Sequence, residues 1–173
     1  MSPMDNAFWI ASLTAGTAVL ASWVTSRGTA RAARIQAEAT ASAQRVERQR
    51  ETRRKAYADL VEQAQRMGDL YWKVYDLREV GGSEGELKEL RLRLREEYGR
   101  LRHGVWIVTL EGPPATADAA NALRRSTSPL YKALGGMCEG DPTAAERFDA
   151  SYDGFWPTLK EFIAAARLAL EET

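Results

Sequence analysis

Residues 6–26 form an uninterrupted run of 21 residues without a charged side chain. A bilayer core about 30 Å thick is crossed by roughly 20 residues of α-helix, so this run has the length of a membrane span. Alanine, serine, threonine and glycine dilute its larger apolar residues, which makes its hydrophobicity moderate. We interpret residues 7–26 as a transmembrane helix that follows a short N-terminal tail, residues 1–6.

The ends of the run support a span. Trp9 and Trp23 lie about 21 Å apart along a helix, and indole rings favour the two membrane interfaces. Arginines follow the run, only Asp5 precedes it, and arginine-rich flanks stay in the cytoplasm. The predicted membrane-interface residues are Trp9, Trp23, Arg27, Arg31 and Arg34. The sequence therefore predicts a single-pass protein of the cell membrane with a cytoplasmic C-terminal domain.

Two other interpretations of the run stay open. A cleaved signal peptide has a positively charged segment before its apolar core, which residues 1–6 lack. Alternatively, the helix is buried in a soluble core or between subunits, where it forms an assembly seam. Small side chains recur on one face at spacings of three and four, as in membrane helices that pair, although any alanine-rich helix has this pattern. These residues are Ala7, Ala11, Ala15, Ala18 and Ser22.

A basic segment, residues 27–55, follows the run. It carries nine Arg or Lys against three Glu, whereas residues 56–173 carry 15 basic and 20 acidic residues. Strong helix formers and a mostly alanine apolar content predict a solvated helical stalk or a loose coiled coil. Its arginine-dense end has the charge to bind anionic lipid headgroups. We expect no binding to nucleic acid, because the segment lacks interleaved aromatic residues and the following domain is acidic.

Residues 56–173 have the pattern of an antiparallel bundle of about four helices. The first apolar stripe continues from the stalk until Gly81-Gly82, a typical helix end. Ser83 with Glu86 predicts a capping box at the next helix, which we extend through the apolar residues 105–110. The residues of the first stripe are Tyr57, Leu60, Ala64, Met67, Tyr71 and Val74.

The second half of the bundle is divided by proline and glycine. Residues 112–114, Gly-Pro-Pro, separate the second helix from a third, which begins at residue 115 and which we expect to end at Gly135-Gly136. Ser128-Pro129 is a candidate kink or restart within it. Asp141-Pro142 predicts the cap and first position of a last helix, and Pro157 predicts a bend inside that helix.

The sequence carries no recognisable catalytic or metal-binding pattern. One histidine and one cysteine, His103 and Cys138, rule out sites that need two imidazoles or two thiolates. The acid pairs Glu96-Glu97 and Asp149 with Asp153 are more typical of solvated helix faces than of a carboxylate site. The sequence therefore predicts no enzyme, no cofactor, no metal site and no small-molecule substrate, with a carboxylate enzyme as the least favoured alternative.

Aromatic residues offer one candidate site. Tyr71 and Trp72 are adjacent in a predicted helix, so both cannot face the core. We therefore consider Trp72 a possible partner surface, although a position at the edge of the core explains it equally well.

The chain also resembles a loose class of uncharacterised proteins common in actinobacteria. The resemblance rests on the N-terminal apolar helix, the Ala/Arg/Glu stalk, the Arg-Arg-Lys-Ala-Tyr-Ala-Asp-Leu junction at residues 53–60, and the step from Val108 through Gly112-Pro113 to Ala120. It implies a helical, anchored protein and no site residues.

The expected function follows from these patterns. We expect a single-pass, membrane-anchored helical protein that contacts membrane lipid and acts as a protein-interaction or scaffold module, through a partner or by self-association. The alternative is a soluble homo-oligomeric helical protein whose N-terminal apolar helix is the assembly seam.

Overall fold

A computed structural model describes the backbone of residues 3–171 and the side chains of residues 29, 31 and 33–171. The described chain forms four α-helices and no strand, which confirms the predicted all-α class with its helical bundle. The apolar residues 105–110 lie in the second helix, as predicted. The helices are α1 (Pro3–Glu79), α2 (Glu84–Glu111), α3 (Pro114–Cys138) and α4 (Ala144–Glu171).

By its internal contacts the chain divides into two compact units, Met1–Glu47 and Arg48–Thr173. In the first unit, every described side chain is solvent-exposed, including Ile35 and Val46. Among the described residues, no helix has a stretch that is long and apolar enough to cross a membrane. The side chains of the predicted span, residues 7–26, with those of Trp9, Trp23 and Arg27, lie outside the described set, so the span stays a prediction.

The second unit is an antiparallel bundle with an aromatic core. The ring of Tyr71 on α1 makes edge contacts with Phe148 and Phe155 on α4, at centroid distances of 6.2 and 5.5 Å. Nearer the start of the unit, Tyr57 meets Phe162 at 6.3 Å. Because residues earlier on α1 contact residues later on α4, the two helices run in opposite directions. All six residues predicted for the first apolar stripe are buried.

Polar contacts align α1 with α2 in the same way. Arg53 Nε donates a hydrogen bond to the carbonyl of Glu111 at 2.6 Å, and Gln63 Nε2 donates to Glu97 Oε2 at 2.6 Å. The first contact places a cation at the C-terminal end of α2, where unpaired carbonyls favour positive charge. These contacts hold α1 and α2 antiparallel.

The turn between α1 and α2 follows the sequence pattern closely. Gly81 adopts φ +72°, its N–H donates to Arg78, and the Gly82 N–H donates to Leu77 at 2.7 Å. This is the Schellman arrangement, in which glycine accepts a left-handed backbone at little cost. Ser83 and Glu86 then form the predicted capping box at the start of α2.

The end of α3 lies beyond the predicted one. The helix passes through Gly135 and Gly136 and ends at Cys138, with Gly140 at φ +78° as the left-handed terminator. The prediction was wrong because the two glycines serve packing: a Cβ on Gly135 would lie 2.9 Å from Arg91 Nη2, and one on Gly136 would lie 3.0 Å from Ala144 Cβ.

The start of α4 also differs from the prediction. The helix begins at Ala144 rather than at Asp141-Pro142. Asp141 Oδ1 instead accepts hydrogen bonds from the backbone N–H and hydroxyl of Thr143, and this turn precedes the helix. Pro129 and Pro157 both lie inside continuous helices, so Pro129 does not restart α3.

Candidate interaction surface

Trp72 and Tyr75 on α1 form an aromatic pair at the surface of the bundle unit. The Trp72 side chain is 53% exposed and that of Tyr75 is 37% exposed. Their rings stack with centroids 5.6 Å apart and planes 15° apart. Tyr71, the preceding residue, points 100° away around the helix and is buried against α4. The pair therefore adds little to the core and presents flat apolar surface to solvent.

An ion pair next to the aromatic pair fixes this part of α1 on α4. Arg78 Nη1 lies 2.6 Å from Asp149 Oδ1, and Nη2 lies 3.3 Å from Oδ2, a two-pronged contact. The hydrogen bond to Asp149 raises the pKa of Arg78, which remains charged in any case. The Arg78 guanidinium also lies 5.8 Å from the centroid of the Tyr75 ring. Tyr75 is thus held in place by its neighbours on both sides along the helix.

A close helix approach fixes the preceding turn of α1. A Cβ on Gly68 would lie 2.6 Å from Cη2 of Trp156 on α4, so only glycine admits this indole without displacement. Trp156 in turn makes edge contacts with Phe155 and Tyr152. Because Gly68 lies one turn before Trp72 and Arg78 lies after Tyr75, two contacts with α4 bracket the aromatic pair. The backbone that carries the pair is therefore held against α4 at both ends.

Acidic residues surround the pair. Asp69 precedes Trp72 by three positions, Asp76 follows it by four, and Glu79 follows Tyr75 by four, and all three are exposed. Residues at these spacings share a helix face with the aromatic pair. The surface, defined here as Asp69, Trp72, Tyr75, Asp76 and Glu79, is therefore apolar at its centre and negative at its rim. We call it the Trp72 surface.

A second exposed apolar group, on α2, was missed by the sequence reasoning. Trp106 is 62% exposed, Leu110 is 81% exposed and Ile107 is 37% exposed. The buried stripe of α2 passes through Leu101, Val105 and Val108. Trp106 and Leu110 lie four residues apart and outside that stripe, and this spacing could have predicted an exposed apolar group. It was obscured because residues 105–110 are apolar on every side.

The predicted interface arginines and acid pairs that the structure describes lie on helix surfaces or in helix contacts. Arg31 and Arg34 are exposed, and Arg34 Nε lies 2.9 Å from Glu38 Oε1 within α1. Of the acid pairs, Glu97 accepts from Gln63 and pairs with Arg100 at 2.6 Å, and Asp149 pairs with Arg78. These carboxylates therefore serve helix contacts.

No family model matches the chain, and neither the curated proteins nor the solved structures include a significant match. The resemblance to actinobacterial proteins stays a prediction.

Proposed function

We propose that the chain is a single-pass, membrane-anchored helical protein whose cytoplasmic bundle binds a protein partner through the Trp72 surface. One observation carries the binding role. A stacked Trp-Tyr pair is exposed on α1, and α1 is held in place at this point by its contacts with α4. Tryptophan and tyrosine are enriched among the residues that contribute most to protein interfaces, because they bury a large area with few rotatable bonds.

Charge indicates the chemistry of the partner. The acidic rim of the Trp72 surface attracts a partner that combines an apolar centre with surrounding lysine or arginine. Complementary charge of this kind speeds association, and salt weakens it. The proposed membrane anchor is supported by the charge-free residues 6–26 and by the arginines that follow them.

The anchor is tested by membrane fractionation of the full chain beside a version without residues 1–26, with protease protection on intact cells. We expect only the full chain in membranes, with its C-terminal domain protected until lysis. If the full chain is found entirely in the soluble fraction as a discrete oligomer, the anchor is refuted and the soluble assembly replaces it.

The binding surface is tested with a photo-crosslinking amino acid at position 65, an exposed glutamine two turns before Trp72 on the same face of α1. We expect a discrete adduct that the Trp72→Ala variant loses and that high salt weakens. The matched control is Leu168→Ala, because Leu168 is 59% exposed on α4 and lies outside the Trp72 surface. An adduct that survives Trp72→Ala, or that is lost equally in Leu168→Ala, contradicts the proposed surface.

A further inference from the structure

A cavity of about 480 Å³ opens between α1, α2 and α3 of the bundle unit. Buried Met67 and Tyr71 of α1 and Leu94 of α2 form its inner part, and half-buried Tyr98 and Tyr131 line its sides. Small-molecule sites commonly occupy about 300–1,000 Å³, with mostly apolar walls and a few polar groups. In size and lining, the cavity therefore matches a small-molecule site, which the sequence pattern did not predict.

The mouth of the cavity is positively charged. Arg95 on α2 and Lys132 on α3 line it and are exposed, and no aspartate or glutamate is among the lining residues. Within the part of the chain that the structure describes, neither cation forms an ion pair. Two unpaired cations at an apolar cavity favour an anionic ligand.

A buried hydroxyl beside the cavity lacks a partner. The Tyr71 hydroxyl makes no hydrogen bond to any described residue, although the side chain is only 1% exposed. Burial raises the pKa of this phenol, so it stays protonated and able to donate. Most buried polar atoms in proteins are hydrogen-bonded, and the exceptions call for a cause. By contrast, the Thr127 hydroxyl, also in the lining, donates to the Arg124 carbonyl at 2.7 Å.

We propose that this cavity binds an amphipathic monoanion, a small molecule with a compact apolar body and one carboxylate. The apolar body packs on Met67 and Leu94, and the carboxylate lies at the mouth between Arg95 and Lys132. The body also reaches the Tyr71 ring. The proposal is independent of the Trp72 surface and of the anchor, because it rests on other residues of the bundle unit.

The test measures binding of 4-phenylbutanoate to the purified full chain by isothermal titration at low salt, with the heat of titrating the probe into buffer subtracted. The neutral probe is 4-phenylbutanamide, which has nearly the same shape. We expect saturable binding at one site, with the amide about tenfold weaker, because a charge-assisted contact contributes on the order of 1.4 kcal/mol. Absence of saturable binding, or equal binding of acid and amide, overturns the proposal.

Matched variants locate the site. Lys132→Gln is expected to weaken binding of the acid about threefold to fivefold, as befits an exposed charge, and to leave binding of the amide unchanged. Lys160→Gln, which removes an exposed lysine on α4 outside the cavity, is expected to change neither. Ser128→Trp, at the exposed mouth, is expected to abolish binding while the helical circular dichroism is retained. Equal effects of Lys132→Gln and Lys160→Gln overturn the assignment, whether or not Ser128→Trp folds.

Discussion

Replacing Tyr71 by phenylalanine removes one buried oxygen and keeps the ring. The Tyr71 ring packs against Phe155 at 5.5 Å and Phe148 at 6.2 Å, and phenylalanine makes the same edge contacts. The hydroxyl has no hydrogen-bond partner among the described residues. We therefore expect Tyr71→Phe to stabilise the unliganded protein, although a tyrosine-to-phenylalanine change usually destabilises a buried site.

The magnitude follows from two opposed terms. A buried hydroxyl without a partner costs about 1–3 kcal/mol of desolvation, which the substitution removes. The missing oxygen leaves a void that costs a few tenths of a kcal/mol, at about 24 cal/mol per Å³. The net gain in the free energy of unfolding is about 1 kcal/mol. In urea this gain shifts the midpoint upward by about 0.5 M, at a slope near 2 kcal/mol per molar.

Urea unfolding of the full chain, followed by near-ultraviolet circular dichroism, measures this shift. The control is Tyr98→Phe, because the Tyr98 hydroxyl accepts a hydrogen bond from Arg124 Nη1 at 3.3 Å. Loss of that bond is expected to lower stability by about 0.5–1 kcal/mol. If Tyr71→Phe lowers the midpoint as Tyr98→Phe does, the Tyr71 hydroxyl has a stabilising partner, and a net desolvation cost at this hydroxyl is refuted.

Two further predictions concern packing and pH. Gly68→Ala is expected to destabilise by about 1 kcal/mol, because displacing the Trp156 indole outweighs the gain in helix propensity. The control is Gly99→Ala, which has open space at its Cβ and should stabilise the protein by about 0.5–1 kcal/mol. Equal urea midpoints for the Gly68→Ala and Gly99→Ala variants would contradict the clash between a Cβ at position 68 and Trp156. Burial raises the pKa of Tyr57 and of Tyr71 above the ordinary value near 10, so stability is full below about pH 10 and falls above it. The stability difference between Tyr71→Phe and wild type should therefore widen from pH 9 to pH 11, and a difference independent of pH would refute it.

The fold was largely predictable because helical periodicity records burial directly. The α1 stripe from Tyr57 to Val74 is buried as its spacing of three and four indicated. The turn at Gly81 and the capping box at Ser83 were also readable, because both depend on residues adjacent in sequence. Such features can be predicted from the sequence because the local backbone conformation alone determines them.

Helix ends that depend on tertiary contacts were not predictable. Gly135-Gly136 and Gly140 are equally good terminators by local criteria, and two interior glycines cost a helix about 1 kcal/mol each. The structure continues through the pair because Arg91 and Ala144 approach the backbone where a Cβ would stand. No local pattern contains that information. The cavity was hidden for the same reason, since its lining comes from three helices distant in sequence.

The exposed aromatic residues are the part of the sequence that the fold does not explain. At position 72 or 106 the helix would form with glutamine, because the side chain is more than half exposed. Trp72 and Trp106 instead present large apolar surfaces to water, and single exposed apolar residues are ordinary. Trp72 is distinguished because Tyr75 stacks on it and because Gly68 and Arg78 fix the helix on either side. Trp106 has Ile107 and Leu110 beside it but no ring contact among the described residues. The contacts that hold the Trp72 surface on α4, rather than its exposure, are therefore the reason to test it first.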